Sequence, residues 1–212
     1  MIPFIVFLVS SVSIYFSYAH THNYLVYNTI KFGELCETRQ YYVVKNVIKG
    51  IYLAILVLAG AFTILPGIFY DNWNNNIIRI FASMYVSNDF VGLYRVTVLP
   101  TSTRLHHTAS IILLLVAWNI DFQNSNVGQL LLVYTYFSAL AFPVNLYLGL
   151  RMCYEDLHQL RDISKYVYLL SCLCNWYFQM YWVVLDMDTM MYLLVMCAIV
   201  MDDIILLRWL WS

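Results

Sequence analysis

The chain has 212 residues, of which 62% are hydrophobic and 11% charged, with a net charge of −1 and a mean hydropathy of +0.70. A soluble domain carries about a quarter charged residues, so this chain cannot coat a globular surface with charge, and lipid most simply supplies the remaining contact. With no basic block in the sequence, nucleic acid is not an expected partner.

A bilayer core of about 30 Å needs roughly 20 mostly apolar helical residues. Seven segments are expected to span: 2–19, 48–70, 77–99, 104–120, 127–150, 164–185 and 189–210. The first also reads as a signal peptide ending at Ser17-Tyr18-Ala19, but no Lys or Arg precedes its apolar run, as a signal peptide normally requires. The second, from Ile51 to Tyr70, is free of charge, as are long runs in the fifth and sixth; the third carries Arg79, Asp89 and Arg95, and the seventh Asp202 and Asp203. The expected organisation is a first span over 1–19, a cytosolic loop over 20–47 and a six-span membrane domain over 48–212. No internal repeat or low-complexity tract divides it.

Basic residues alternate between the turns. Lys31, Arg39 and Lys45 follow span one, Arg95 and Arg104 flank the turn after span three, Arg151 and Arg161 follow span five, and Arg208 ends span seven. The turns 71–76, 121–126 and 186–188 hold no Lys or Arg. The positive-inside rule then predicts an outside N-terminus and a cytosolic C-terminus. The predicted fold class is an all-α, polytopic, seven-span helix bundle.

On that topology His106 and His107 begin span four one turn from the cytosolic side. Asn145 on span five, Asp202 and Asp203 on span seven, and Asp89 on span three all fall in the cytosolic half or at the midplane. Ionisable groups inside a span cost a few kcal/mol each, so they face the interior and mark sites. The bias to one half predicts a polar cavity open to the cytosolic leaflet. Thr135, Ser138 and Asn145 recur at helical spacing and give span five a polar face toward the bundle. Pro143 removes a backbone bond beside Asn145, which is tolerated at depth only against protein or a wet cavity.

Histidine acts as base, acid or acyl nucleophile, and a carboxylate within reach fixes its tautomer. Adjacent helical residues point about 100° apart, so one imidazole is expected to face the cavity and the other a neighbouring helix. The structural alternative for the pair is a polar interfacial position, and for Asp202-Asp203 a pairing within the bundle.

Other motifs carry less. Asp186-Met-Asp188 sits in a short turn with no domain around it, His20-Thr-His22 lacks further ligands nearby, and Glu155-Asp-Leu-His158 is a single E-x-x-H where di-iron sites need two. No metal or bound cofactor is expected. Five histidines are too few for the histidine boxes of membrane desaturases. Five cysteines, an odd number with three in apolar runs, read as reduced thiols.

The stretch Tyr85–Arg151 resembles the TLC-domain superfamily, the lipid-handling membrane proteins that include ceramide synthases. Tyr85-Val-Ser-Asn-Asp89 looks like that family's acidic span end upstream of the histidines. Leu105-His106-His107-Thr-Ala-Ser110 is similar to its His-His helix start. About 36 residues on, Phe142-Pro143-Val144-Asn145 resembles the Pro/Asn element of the small TLC-domain branch. The ceramide synthases' His-Asp-x-x-Asp element has no counterpart after the pair, which sets the chain nearer the small branch. The resemblance implies residence in the endoplasmic reticulum, membrane lipids as partners, and acyl transfer from acyl-CoA as co-substrate. His106 is then the nucleophile or base, His107 its orienting neighbour, and Asp89 or Asp202-Asp203 the stabilising acid. Asn145 and Ser138 would hold the lipid head group. Two other classes fit the residues: a non-catalytic lipid-binding or sensing protein with the same cavity, and a seven-span receptor or channel. The lipid and the oligomeric state are not legible in the sequence.

Overall fold

In the computed structural model, residues 1–96, 98–185 and 192–212 are described, and all of the regular structure among them is helical. The helices are α1 (Ile2–Asn28), α2 (Ile30–Glu34), α3 (Glu37–Thr63), α4 (Leu65–Tyr70), α5 (Asn75–Arg95), α6 (Thr101–Ala117), α7 (Asn126–Ala139), α8 (Phe142–Leu150), α9 (His158–Leu185) and α10 (Tyr192–Trp211). The Asp186-Met-Asp188 motif lies outside the described residues.

Local sequence sets the boundaries. The Asn74 side chain accepts from the N–H groups of Asn76 and Ile77, and that of Ser125 from Gly128, satisfying donors that a first turn leaves open. Prolines stand at the starts of α1, α4 and α8, where the missing N–H is not needed. At Pro143 no N–H is available for the Ala139 carbonyl, and α7 and α8 meet at a bend of 41°, as expected where proline breaks the ladder.

The expected loop over 20–47 is mostly helix. α1 runs on to Asn28 and α3 begins at Glu37. Between them His22 Nε2 lies 3.1 Å from Gln40 Oε1, and its ring packs on Phe32. Hydropathy reports depth in a membrane, whereas nothing in His20–Asn28 breaks a helix, and Tyr18 and Leu25 on the same helix are buried in the core.

The bundle buries a set of polar residues within its hydrophobic core and leaves many large apolar side chains on its outside. Ser83, Ser87, Asn88, Asp89, His107 and Gln179 are buried, while Leu58, Phe62, Phe16 and Ile205 are exposed. Such broad exposed apolar surface fits a membrane setting. Among the described residues, length and composition qualify two helical stretches as spans, Ile2–Asn28 and Glu37–Tyr70, or three with the bent α7–α8 pair. That falls short of the seven expected. The reason is composition and length: α5 carries Arg79, Asp89 and Arg95, α10 carries Asp202, Asp203 and Arg208, α9 carries Asn175 and Gln179 beside its charged start, and α6 has only 17 residues.

Side chains tie each end. At one end Asn75 Nδ2 donates to Asp121 Oδ1 at 2.7 Å, Phe122 N–H donates to Asn75 Oδ1 at 2.7 Å, and Arg79 donates to the Ile120 carbonyl at 2.8 Å. Hydrogen bonds from Asn75 and Asn124 hold the Asp121 carboxyl below the usual carboxylate range. At the other end Lys31 pairs with Glu155, and the ammonium likewise lowers the Glu155 carboxyl.

Glycines let α3 and α8 approach. A Cβ at Gly50 would meet Leu146 Cγ at 2.5 Å, and one at Gly149 would meet the Val43 carbonyl at 3.0 Å. Small residues of this kind allow close helix packing in membranes, and here they bring Lys49 and Asn145 to one chamber. Gly50→Val is expected to force the helices apart and cost about 1–3 kcal/mol, read as a lowered midpoint of thermal unfolding in detergent. An unchanged midpoint would mean that this contact is not a determinant of the fold.

Candidate functional site

Asp89, on the penultimate turn of α5, is 1% exposed and takes three nitrogen-bearing neighbours. Lys49 of α3 donates from Nζ to Oδ1 at 3.0 Å. His107 Nε2 lies 3.3 Å from Oδ1, and His106 Nε2 lies 3.8 Å from Oδ2. One carboxylate thus meets both members of the histidine pair. A single unpaired carboxylate at this burial would be costly; the lysine supplies the compensating charge.

The two histidines divide as the helix geometry requires. His107 is 1% exposed and packs by Gly92, where a Cβ would come within 3.2 Å of its Cε1. A Cβ at 92 would make the ring give by a few tenths of an ångström, so the glycine eases the approach. Its Nδ1 is buried without a partner among the described residues. His106 instead faces two cavities at once. One, of about 130 Å³, is polar and is bordered by Lys49, Tyr85, Ser138, Asn145, Asp202 and Asp203, among others. The other is an apolar cleft between α5, α6 and α7, with Val86, Leu113, Leu114 and Leu132 in its walls. His106, Tyr85 and Tyr134 border both.

The remaining expected residues sit around the polar chamber. Ser138 Oγ lies 3.0 Å from the Tyr85 hydroxyl. Asn145 borders the chamber while its Nδ2 donates to the Ala141 carbonyl at 3.0 Å, just past the α7–α8 bend. Asp203 accepts from the Tyr168 hydroxyl at 2.8 Å and from Trp176 Nε1 at 2.9 Å, so it is held by its neighbours on α9. Asp202 borders the same chamber. Thr135 donates to the Leu131 carbonyl and borders the apolar cleft. Of the three acids, Asp89 is the one against the histidines. It does not itself border the chamber but reaches it through His106 and Lys49.

Sequence reasoning missed Lys49, along with Tyr85 as a chamber wall and Ser171 and Asn175 of α9, which also border it. The available signal for Lys49 was its place beside the charge-free run that begins at Ile51, where a cation needs a partner. Lys45, one turn before it, is also buried and makes no ion pair among the described residues.

Chemically, the arrangement is an imidazole backed by a carboxylate and a cation, at the meeting point of a polar chamber and an apolar cleft. The Asp89 Oδ2 atom is buried and has no hydrogen-bond partner among the described residues, with His106 Nε2 the nitrogen near it. Hydrogen bonds of this kind often tighten only when substrate binds. Comparison of the chain with protein-family models, curated proteins and solved structures gives no match.

Proposed function

We propose that the protein is a polytopic membrane enzyme of TLC-domain type that transfers an acyl group from acyl-CoA to a lipid. The observation that carries this reading is His106: it borders a polar chamber and an apolar cleft together, with Asp89 beside its Nε2. An acyl acceptor with a polar head and an apolar chain needs that junction.

In the reaction His106 takes the proton of the acceptor's hydroxyl or amine. The freed lone pair attacks the thioester carbonyl, the carbon–sulfur bond breaks, and the imidazolium returns the proton to the leaving thiolate. Asp89 stabilises the imidazolium, His107 fixes the carboxylate from the opposite side, and Lys49 keeps that carboxylate ionised. Asn145 and Ser138, with Tyr85, hold the polar head in the chamber.

The proposal includes an outside N-terminus, a cytosolic C-terminus and residence in the endoplasmic reticulum. Its support is the alternation of Lys and Arg together with the polar ties at opposite ends of the bundle. In a Cys36→Ser background, a thiol placed at Asn124 is expected to react with an impermeant maleimide only from the lumenal side of microsomes. Labelling from the cytosolic side alone would reverse the topology.

The competing reading is a non-catalytic lipid-binding protein with the same cavity, favoured by the absence of any acid on the helix that carries the pair. The two separate on expression in a host membrane. Acyl transfer enlarges one class of acyl lipid beyond the amount of protein present, whereas binding sequesters at most a stoichiometric amount.

A further inference from the structure

A third and larger cavity, an open groove of about 700 Å³, lies away from the histidines between α1, the start of α3 and the end of α5. Its volume is that of a ligand site. One end is apolar, with Leu8, Val12 and Phe16 of α1 along its wall. The other end is charged: Arg95 closes α5 there, and Glu37 and Tyr41 stand in the first turns of α3.

The charged end is unsatisfied. The Arg95 guanidinium stacks over Tyr15 at 4.7 Å and Tyr18 at 5.3 Å, but it makes no ion pair or hydrogen bond among the described residues, and its Nε is buried without a partner. Glu37 borders the same cavity and is likewise unpaired among the described residues. Farther in, Ser11 is 6% exposed, and its hydroxyl has no partner among the described residues. A simple anion would satisfy Arg95 but be repelled by Glu37, and a simple cation would do the reverse. A group carrying both charges satisfies both, and the rings of Tyr15, Tyr41 and Tyr94 suit a quaternary ammonium.

We propose that this cavity binds one glycerophospholipid with a zwitterionic head group. The phosphate sits on Arg95, where guanidinium gives charge-assisted hydrogen bonds, and the ammonium sits by Glu37 and Tyr41. The glycerol and its ester groups lie between Tyr15 and Ser11, and one acyl chain runs on along α1 past Val12 toward Leu8, a rise of about 10 Å for the whole stretch. The site shares no bordering residue with the histidine chamber, and its occupancy does not depend on acyl-transfer chemistry.

The test is native mass spectrometry of the detergent-purified full chain, titrated separately with phosphatidylcholine, phosphatidic acid and diacylglycerol of identical chains. The expected result is one saturable phosphatidylcholine adduct, bound more tightly than either of the others. Arg95→Gln should weaken it at least tenfold, and Glu37→Gln should narrow the preference for phosphatidylcholine over phosphatidic acid. Val12→Trp fills the apolar end without touching a charge and should abolish the adduct, which keeps the test decisive should Arg95→Gln fail to fold. No saturable adduct, an adduct unchanged in Val12→Trp, or phosphatidic acid bound as tightly as phosphatidylcholine would overturn the assignment.

Discussion

His106→Ala is expected to abolish any change in acyl-lipid profile that the parent protein produces on expression, while yield and monodispersity in detergent stay as they were. The imidazole borders two cavities and lies 3.8 Å from Asp89 Oδ2, with no closer contact to that carboxylate. Its side chain is 45% exposed, so its removal empties little packed volume and leaves Lys49 and His107 on Asp89. Loss of the group that moves the proton should instead cost several orders of magnitude in rate. His107→Ala is the informative contrast. That ring is buried against Gly92 and Asp89, and its loss opens a cavity, so stability should fall together with activity. A His106→Ala protein that folds normally and retains the full lipid change would return the pair to an interfacial role.

Lys49→Met should be among the most destabilising single substitutions in the bundle. Breaking a buried ion pair by removing one partner costs about 3–5 kcal/mol, because the remaining charge is left uncompensated, whereas replacing both partners by apolar groups is often neutral. Asp89 is 1% exposed and the Lys49 side chain 15%, so the pair falls within that rule. The double variant Lys49→Met/Asp89→Leu should therefore recover much of the stability lost by Lys49→Met alone, while remaining inactive. Thermal unfolding of the parent, Lys49→Met, Asp89→Leu and the double variant in one detergent reads this directly. Additive losses would mean that the two residues do not act as a pair, and the charge-compensation account of the site would fail.

How much of this was legible in the sequence depended on the range of the interaction. His106 and His107 stood out because two ionisable residues beside an apolar run need a reason to be there. Asp89 and Asn145 stood out because depth placed them in the cytosolic half or at the midplane, and Ser138 because it shares a polar helix face with Thr135 and Asn145; the structure sets His106, Ser138 and Asn145 around one chamber. The division of labour within the pair followed from the helical turn alone. Lys49 was not legible, since at the edge of the expected span 48–70 it reads as an interfacial cation, and its partner lies 40 residues away. Nor could spacing rank Asp89 above Asp202 and Asp203. Only the fold sets the first on the histidines and ties Asp203 to Tyr168 and Trp176. The length of α1 was missed for a different reason. His20, Thr21, His22 and Asn23 lower hydropathy but contain no helix breaker, so an apolar window stops where the helix does not.

The most direct test of the central claim is release of free CoA. Purified protein in lipid nanodiscs is supplied with a long-chain acyl-CoA and an endoplasmic-reticulum lipid extract, and thiol appearance is followed against new acyl lipid. The predicted result is release matched mole for mole by acylated lipid, over many turnovers, and absent in His106→Ala. Bound acyl chains without CoA release, or release that persists in His106→Ala, would contradict it.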